Sequence, residues 1–393
     1  MRRTILCVLF GFCVLRAAGA QEPAAPQSIP DAQLQAAIDK LGDLDYATRM
    51  NAARTVRRTP AAQAVQALLG AVGEHRDGYV RYRALVLLTG FNDPRTKDAM
   101  RAAIASPNDR LRTVAYSFFE HNPDPADASA LLTALDKEQA EFVRPALIRA
   151  LAAVPSAVTV QQTLVRDVAR GEDFFRSAAI EALGDYKAQY AFDAVTAVAR
   201  LDGPLQDDAA LTLGKIGDRR ALETLAALQR SAPRAAQPSI AAAICLLGVN
   251  CDRHVSFMVE TLKFADSNQN SGFQDLLRSA AAGLGALGIA GRPEAVHALF
   301  DVGIPAKDDA TRAPVALALG AVALRNTALM LPLLEEHPNR DEALALLAEG
   351  FDMLEEDLDK ERFFAFVRRS YWNSPESSST RALMQTLIGK LEF

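Results

Sequence analysis

The segment Asp77–Leu88 reads DGYVRYRALVLL, and variants of it return about every 32 residues through the first half of the chain. In each copy, an acid or amide in a turn is followed three or four positions later by an arginine and then by an Ala-rich apolar run. These marker arginines are Arg49, Arg81, Arg112, Arg144 and Arg176. A fixed period in this range predicts a stacked-repeat architecture, in which each unit packs only on its neighbours.

One unit illustrates the predicted content of a repeat. An amphipathic segment at Pro94–Ala105 ends at Ser106–Asp109, because the residue before a proline avoids the helical region. The next segment places apolar residues at the three- and four-residue spacing of a buried helical stripe. These residues are Leu111, Val114, Ala115 and Phe118. The pattern therefore predicts two amphipathic helices in each repeat.

A glycine marks the repeats in the second half of the chain, where the arginine fades. It stands near the end of the second helix, where we expect a C-terminal cap in the left-handed region of backbone space. These glycines are Gly184, Gly214, Gly248, Gly285, Gly320 and Gly350. Both markers together give about ten repeats over 32–354. The predicted fold class is all-α: a right-handed α-solenoid of about ten helix pairs, an armadillo-like superhelix whose second helices line the concave face.

The segment 355–393 departs from both markers and predicts C-terminal capping helices. One helix is expected near Asp359–Arg369 and another near Ser379–Leu391, on either side of a break at Asn373–Pro375. The terminal units of solenoids are atypical because they cover an end that would otherwise be exposed. The single tryptophan of the chain, Trp372, fits that covering role.

Two quoted segments resemble HEAT repeats, of the bacterial HEAT-like kind also found in phycocyanobilin lyases. They are LGKIGDRRALETLAALQ at Leu213–Gln229 and TGFNDPRTKDAMRAAIASPNDRLRTVA at Thr89–Ala115. The resemblance covers nearly all of the chain after its first twenty residues. It implies the fold and says little about activity, because this architecture hosts scaffolds, adaptors, inhibitors and a few enzymes.

The resemblance also implies a role for the repeated acid and arginine. In that family they commonly form a ladder of side-chain contacts along the stack. The matching pairs here are Asp77/Arg81, Asp109/Arg112, Glu141/Arg144, Asp173/Arg176 and Asp309/Arg312. The sixth unit has Gln206 followed by two acids where the arginine would stand, so we expect the ladder to be interrupted there.

The first twenty residues have the pattern of a secretory signal peptide. Met1–Arg3 is basic, Thr4–Leu15 is apolar, and Ala17–Ala20 offers a small-residue site with cleavage after Ala20. The apolar run is shorter than the roughly 20 residues of a membrane span. We therefore expect a protein exported to a bacterial periplasm, with secretion or an uncleaved membrane anchor as alternatives. Residues 21–31 are rich in Pro and Ala and predict a linker.

Cleavage after Ala20 would leave two cysteines, Cys245 and Cys251, within ICLLGVNCDRH. An even pair in an exported protein favours a disulfide. The alternative adds His254 as a third metal ligand, but this set lacks a fourth ligand and the C-x-x-C spacing of zinc sites. The sequence predicts the disulfide, with no metal and no cofactor.

The charge balance argues against a nucleic-acid partner. Without the three arginines of the first twenty residues, 40 basic side chains stand against 48 acidic ones, a net charge of about −8. Binding to a phosphate backbone relies on dense Lys and Arg, which this surface lacks.

Three polar features depart from the repeats and are candidates for partner contacts. One is the Asp207–Asp208 pair, and another is the loop Asp266–Gly272, which resembles the opening of a calcium loop but lacks its bidentate Glu. The third is an acidic cluster at Asp352–Glu361, interpreted by default as a solvated helix and turn, with a docking patch for a basic partner as the alternative. The candidate contact residues are Asp207, Asp208, Asp266, Asn268, Asn270, Glu355, Glu356 and Asp357.

The sequence contains no recognisable catalytic constellation. The G-x-G-x-x-G at Gly283–Gly288 lies in an Ala-rich helix rather than after a strand, so we interpret it as a repeat signature. The predicted function is a non-catalytic exported scaffold or adaptor that binds a protein partner along a curved solenoid surface. The alternatives are an enzyme of the bilin-lyase HEAT-like type, as the resemblance permits, and a membrane-tethered structural spacer. The identity of the partner and the oligomeric state are left open.

Overall fold

The computed structural model describes residues 25–154, 157–268 and 273–393, which form paired α-helices and no strand within those ranges. The first helices of the pairs are α1 (Asp31–Asp39), α3 (Ala61–Glu74), α5 (Arg95–Ala103), α7 (Ala128–Leu135), α9 (Val158–Ala169), α11 (Phe192–Ala199), α13 (Ala221–Ser231), α15 (Cys251–Ser267), α17 (Pro293–Gly303), α19 (Thr327–Glu336) and α21 (Asp357–Asn373). The second helices are α2 (Tyr46–Arg57), α4 (Gly78–Leu88), α6 (Asp109–His121), α8 (Arg144–Ala153), α10 (Asp173–Asp185), α12 (Gln206–Ile216), α14 (Gln237–Leu246), α16 (Gln274–Ile289), α18 (Asp309–Arg325), α20 (Arg340–Met353) and α22 (Ser379–Lys390).

The helices form two layers. Each second helix from α4 to α20 packs on the second helix of the next pair, so these helices make a continuous inner layer. The first helices lie against them on the outer side, packed on their own partners. The predicted all-α solenoid is therefore confirmed, while its handedness stays a prediction. Ten pairs, α1 to α20, span Asp31–Met353, and α21 with α22 makes a further pair.

Side-chain caps define where many of the second helices begin. Asp45 accepts from the Thr48 N–H at 2.8 Å, and Asp77 accepts from the Tyr79 N–H at 2.8 Å. Asn108, Asp308 and Ser378 do the same for α6, α18 and α22. Such caps satisfy N–H groups that have no partner inside the helix. In these copies of the repeated phrase, the turn acid or amide thus belongs to helix initiation.

Five of the six marker glycines lie within helices rather than at left-handed caps. Only Gly248 has a positive φ, of 78°. Gly214 lies in α12, where an added Cβ would overlap the main chain of Ala243 in α14. Gly350 likewise faces the main chain of Ala316. The predicted capping role is wrong for these five positions, because close contact between consecutive second helices leaves no room for a side chain.

The two ends of the stack meet. Helix α21 leaves the last repeats and packs against α4, α6 and the turn at 89–91, far back in the chain. A buried ion pair joins Arg57 of α2 to Glu361 of α21 across 304 residues. The segment 355–393 therefore contacts the first repeats as well as the last ones. This closure was not expected from the sequence.

Residues before the first helix are partly described. The predicted signal peptide, 1–20, lies outside the described residues, as do 21–24 of the predicted linker. Gln27 donates its N–H to the Arg58 carbonyl at 2.9 Å, and Gln63 donates to the Ile29 carbonyl at 2.6 Å. The described part of the linker therefore lies along the first two repeats.

No single helix in the described ranges is both long and apolar enough to cross a membrane, and one bent pair, α18 with α19 at 118°, meets the length and composition limits jointly.

Replacing Gly214 by Ala should lower the free energy of unfolding by about 1–3 kcal/mol, because the new methyl group overpacks the contact between α12 and α14. Gly70→Ala is the matched control, since this helical glycine has nothing within 4 Å of an added Cβ. It should be stabilising by roughly 0.5–1 kcal/mol. Urea unfolding followed by circular dichroism measures both, and equal effects at the two sites would contradict the packing role.

Candidate functional site

The marker arginines bind main-chain oxygens at the end of the preceding first helix or in the connection that follows it. Arg81 Nε donates to the Val72 carbonyl at 2.7 Å, and Arg176 Nε donates to the Val168 carbonyl at 3.0 Å. These carbonyls belong to the last turn of a helix, where they lack an intrahelical partner. A cation there also faces the negative end of the helix dipole. The repeated arginine thus ties the two helices of one pair together.

Ten helix pairs carry such a donor near the start of the second helix. The donors are Arg49, Arg81, Arg112, Arg144, Arg176, Gln206, Gln237, Arg312, Arg340 and Arg381. Gln206 Nε2 reaches the carbonyl of Leu201 at 3.1 Å, where an arginine reaches in other repeats. The donor to the main chain is therefore kept at Gln206, although no arginine stands there, because a neutral amide supplies the hydrogen bond.

The predicted acid–arginine ladder needs correction. Only Asp173/Arg176 is in contact, at 2.7 Å, among the five predicted pairs, all of which are described. Arg112 instead binds Glu138 at 2.7 Å, and Arg312 binds Glu349 at 2.6 Å. Arg144 lies 3.9 Å from Asp167. Asp77/Arg81, Asp109/Arg112, Glu141/Arg144 and Asp309/Arg312 are therefore wrong as pairs, since the arginine reaches back to the preceding helix and away from the acid at the helix start.

The inner layer encloses a central cavity of about 930 Å³. Residues from the second helices α4 to α18 line it, and the segment 355–362 covers one side. The second helices therefore line the inner face as expected, but α21 lies across part of that face. The concave surface is thus partly covered, and its central part is a cavity that stays open to solvent on one side.

Asp185 is the centre of an ion network in the cavity wall. Its carboxylate lies 2.9 Å from Arg149 Nη1, 2.7 Å from Lys215 Nζ and 2.7 Å from Arg325 Nη1. Burial alone would raise the pKa of Asp185, but Lys215, Arg149 and Arg325 outweigh it and hold that pKa well below its usual range. Asp185 therefore stays ionised and links α8, α12 and α18.

Glu120 continues this network. It lies 2.7 Å from Arg149 Nη2 and accepts a hydrogen bond from the Tyr186 hydroxyl at 2.8 Å. Burial, and next the charge of Glu120, raise the pKa of Tyr186 above its usual range, so the phenol stays a neutral donor. The charged side chains named here have partners within the wall.

The acidic cluster at 352–361 is largely an internal contact. Asp357 accepts from the Tyr82 hydroxyl and lies 3.2 Å from Arg83. Asp359 lies 2.5 Å from His121, and Glu361 is 1% exposed. The default interpretation as a solvated helix is wrong for these three acids, because they face cations and donors of the first repeats. Glu355, Glu356 and Asp357 line the central cavity, and burial raises the pKa of Glu356.

The other candidate contact residues do not lie together in one site. Asp208 is half-buried and accepts from Ser177 at 2.6 Å, while Asp207 is its half-buried neighbour. Asn268 donates to the Phe264 carbonyl at 2.7 Å at the end of α15, close to Asp266. Asn270 lies outside the described residues.

Cys245 and Cys251 lie at disulfide distance, with their Cα atoms 4.3 Å apart. Cys245 is fully buried near the end of α14, and Cys251 begins α15. Within the described ranges, no three His, Cys, Asp or Glu side chains are grouped to hold a metal ion. A disulfide between the two cysteines would join α14 and α15 across the turn between them.

A row of exposed apolar side chains was not predicted from the sequence. We define the apolar row as Leu44, Tyr46, Phe142, Phe174 and Leu201, exposed by 97%, 57%, 86%, 49% and 61% respectively. Each lies in the connection from a first helix to a second helix, or in the first two residues of that second helix. The signal in the sequence was an apolar residue beside the turn acid, as in DLD at 43–45 and EF at 141–142.

Replacing Asp208 by Asn should stabilise the protein at pH 7 by about 2 kcal/mol. Burial raises the pKa of Asp208 from 3.8 to about 6. As pH rises from 3.8 to 6 the native state keeps a proton that the unfolded chain releases, so stability falls over that window. Asn stays neutral and can still accept from Ser177.

The gain in stability should vanish near pH 3, because Asp208 is then protonated in both the folded and the unfolded state of the unmodified protein. Asp207→Asn is the neighbouring control. Urea unfolding at pH 3, 5 and 7 measures the effect, and a less stable Asp208→Asn variant at pH 7 would contradict it.

Part of the chain matches a known family of repeats, and the whole chain has similar solved structures. Residues 71–152 match the family model of HEAT repeats. No match is found among curated proteins. Among solved structures, the chain is similar to the complex of CpcE and CpcF of phycocyanin lyase from Nostoc sp. PCC7120, with 21% identity and a TM-score of 0.41 over 67% of this chain and 97% of that chain. It is also similar to Kap95p in a structure with RanGDP, with 14% identity and a TM-score of 0.42 over 93% of this chain and 55% of that chain.

The matched segment runs from the end of α3 to α8. The same helix pairing, with a donor at the start of the second helix, continues before and after it. Residues 71–152 are therefore HEAT repeats, and the helix pairs on either side of them share their geometry.

Proposed function

We propose that this protein is an exported, non-catalytic scaffold that binds a protein partner along the apolar row. The observation that carries the proposal is the exposure of large apolar side chains at equivalent places in successive repeats. Phe142, Phe174 and Leu201 occupy the fourth, fifth and sixth pairs and are about half exposed or more. Single exposed apolar residues are ordinary on a protein surface, whereas a series at equivalent places in consecutive repeats offers a partner regularly spaced contacts.

The spacing of the row suits an extended segment of the partner. Packed helices lie about 10 Å apart, so three consecutive repeats place Phe142 and Leu201 roughly 20 Å from each other. About six residues of extended chain span that length. A partner segment with apolar side chains at matching intervals would cover the row without entering the cavity.

The charge beside the row indicates the chemistry of the partner. Glu141 precedes Phe142, Asp173 precedes Phe174, and Asp202 follows Leu201, and all three acids are exposed. The whole chain carries a formal net charge of −5. We therefore expect a partner segment that alternates apolar and basic residues, since complementary charge speeds association and selects against wrong partners.

Site-directed photo-cross-linking tests the location of the partner. A photoreactive residue at Phe142 should capture a specific protein in native cells, whereas the same residue at exposed Ala130, on the first helix of the same pair, should not. Equal capture at the two positions would count against the apolar row.

The captured protein then allows a binding measurement. Phe142→Ser combined with Leu201→Ser should weaken its affinity at least tenfold, because two apolar contacts are lost, and added salt should weaken it further. Both side chains are exposed, so an unchanged thermal unfolding profile serves as the folding control. Unchanged affinity of the double variant would sink the proposal.

An enzyme of the bilin-lyase type is the second candidate. The observation that favours it is the central cavity of about 930 Å³, which falls in the range of small-molecule sites. A chromophore bound to purified protein, detected by visible absorbance, would support this candidate over the scaffold.

Export is part of the proposal, supported by the signal-like pattern of the first twenty residues and by the cysteine pair at disulfide distance. The mature protein should begin at Gln21, and Cys245 and Cys251 should react with a thiol reagent only after reduction. The intact mass of labelled, denatured protein shows both where the chain begins and how many thiols have reacted. A chain that keeps Met1 would favour the membrane-tethered spacer, and free thiols would contradict an oxidised compartment.

A further inference from the structure

A second cavity lies at the seam where the ends of the stack meet. Its volume is about 340 Å³, and it lies between α2 of the first pair and α21 of the last. The arginines that line it are Arg54, Arg57, Arg58, Arg368 and Arg369. No Asp or Glu side chain is among the described residues that line it. We name this the seam cavity.

One buried carboxylate, which does not itself line the cavity, partly neutralises the positive charge of these arginines. Glu361 accepts from Arg57 Nε at 2.9 Å and from Arg57 Nη2 at 2.6 Å, and it lies 3.5 Å from Arg368 Nη2. Arg54 donates to the neutral side chain of Asn51 and to the Glu392 main-chain carbonyl. Five arginines therefore line the seam cavity, and two of them, Arg57 and Arg368, share one buried carboxylate.

Two of the guanidinium nitrogens are left without partners. Arg57 Nη1 and Arg368 Nη1 are buried and have no hydrogen-bond partner among the described residues. Arg57 as a whole is only 6% exposed. A buried donor with no acceptor is unfavourable, and more so when it is charged. Both side chains line the seam cavity, so an anion that draws either guanidinium into the cavity would relieve this cost.

We propose that the seam cavity binds a phosphoryl group. Guanidinium groups bind phosphate oxygens in a bidentate manner, and several arginines around one point favour an anion with more than one charge and several acceptor oxygens. The volume exceeds that of phosphate alone, and Trp372, with 39% of its surface exposed, lines the remaining space. The chemistry thus fits inorganic phosphate, a soluble phosphomonoester or a phosphomonoester lipid headgroup.

Binding at this place also has a structural consequence. The ligand would bridge Arg57 and Arg58 of the first pair to Arg368 and Arg369 of the last pair. An anion that binds only the closed arrangement stabilises it by mass action. Phosphate should therefore raise the unfolding temperature of the whole protein, independently of any partner on the apolar row.

Isothermal titration with inorganic phosphate, at constant ionic strength set by chloride, tests the site on the full protein. One phosphate should bind per chain, and the unfolding temperature should rise with phosphate concentration. Arg58→Gln combined with Arg369→Gln should weaken binding at least tenfold. These two arginines do not pair with Glu361, so the variant keeps the buried ion pair.

Arg230→Gln is the matched control, because it removes an exposed arginine far from the seam. It should bind phosphate like the unmodified protein. Equal weakening in both variants, or unchanged binding in the double variant, would overturn the proposal. Circular dichroism without phosphate checks that each variant is folded, and Arg369→Gln alone, at an exposed position, should give at least a threefold loss if the double variant unfolds.

Two further titrations separate the sources of the phosphoryl group. Glycerol phosphate represents a soluble monoester, and vesicles containing phosphatidic acid in phosphatidylcholine represent a lipid headgroup. Binding to the vesicles alone assigns the site to a lipid, and binding to phosphate or glycerol phosphate assigns it to a soluble ligand. Binding to none of the three would overturn the proposal.

Discussion

The buried ion pair between Arg57 and Glu361 sets the shape on which the rest of the structure depends. Burying either charge alone is costly, and removing one partner of such a pair typically costs about 3–5 kcal/mol. Each residue therefore needs the other, which fixes α21 against α2. Gly90 makes the contact possible, because a Cβ there would lie 2.7 Å from Glu361 Oε1 and 3.4 Å from Arg368 Nη2. As a result the inner face becomes a cavity, and the two ends of the stack share one surface.

The repeat itself was predictable because its signals are periodic and local. An arginine every 32 residues and Ala-rich stripes at helical spacing specify stacked helix pairs, and the structure has them. The partner of the arginine was not predictable from spacing. An acid three or four residues earlier is visible in the sequence, whereas the carbonyl five to nine residues earlier belongs to the main chain and has no signature. Gln206 shows that the position is defined by donation rather than by charge.

The closure and the seam could not be predicted for a different reason. Arg57 and Glu361 are 304 residues apart, and whether they meet depends on small rotations between repeats that add up along the stack. The acids at 352–361 have the sequence pattern of a solvated helix. The pattern does not show that other repeats cover one face of that helix, so their burial could not be predicted. The contact between Cys245 and Cys251 was easier to predict, since a short turn brings them together independently of the curvature of the stack. Local features were thus predictable, and the candidate sites made by distant segments were not.

The central cavity, the apolar row and the seam cavity differ in how many of their groups already have partners within the protein. This difference determines how much free energy a ligand gains by binding to each of them. In the central cavity, Asp185 has three cations, and Glu120 has both Arg149 and Tyr186. A ligand there must displace contacts that already exist, so its net gain is small. The apolar row exposes side chains to water that a partner would cover. The seam cavity goes further, because Arg57 Nη1 and Arg368 Nη1 are already desolvated and lack acceptors. The cost of burying these donors has been met by folding, so an anion that reaches them gains interaction without that cost.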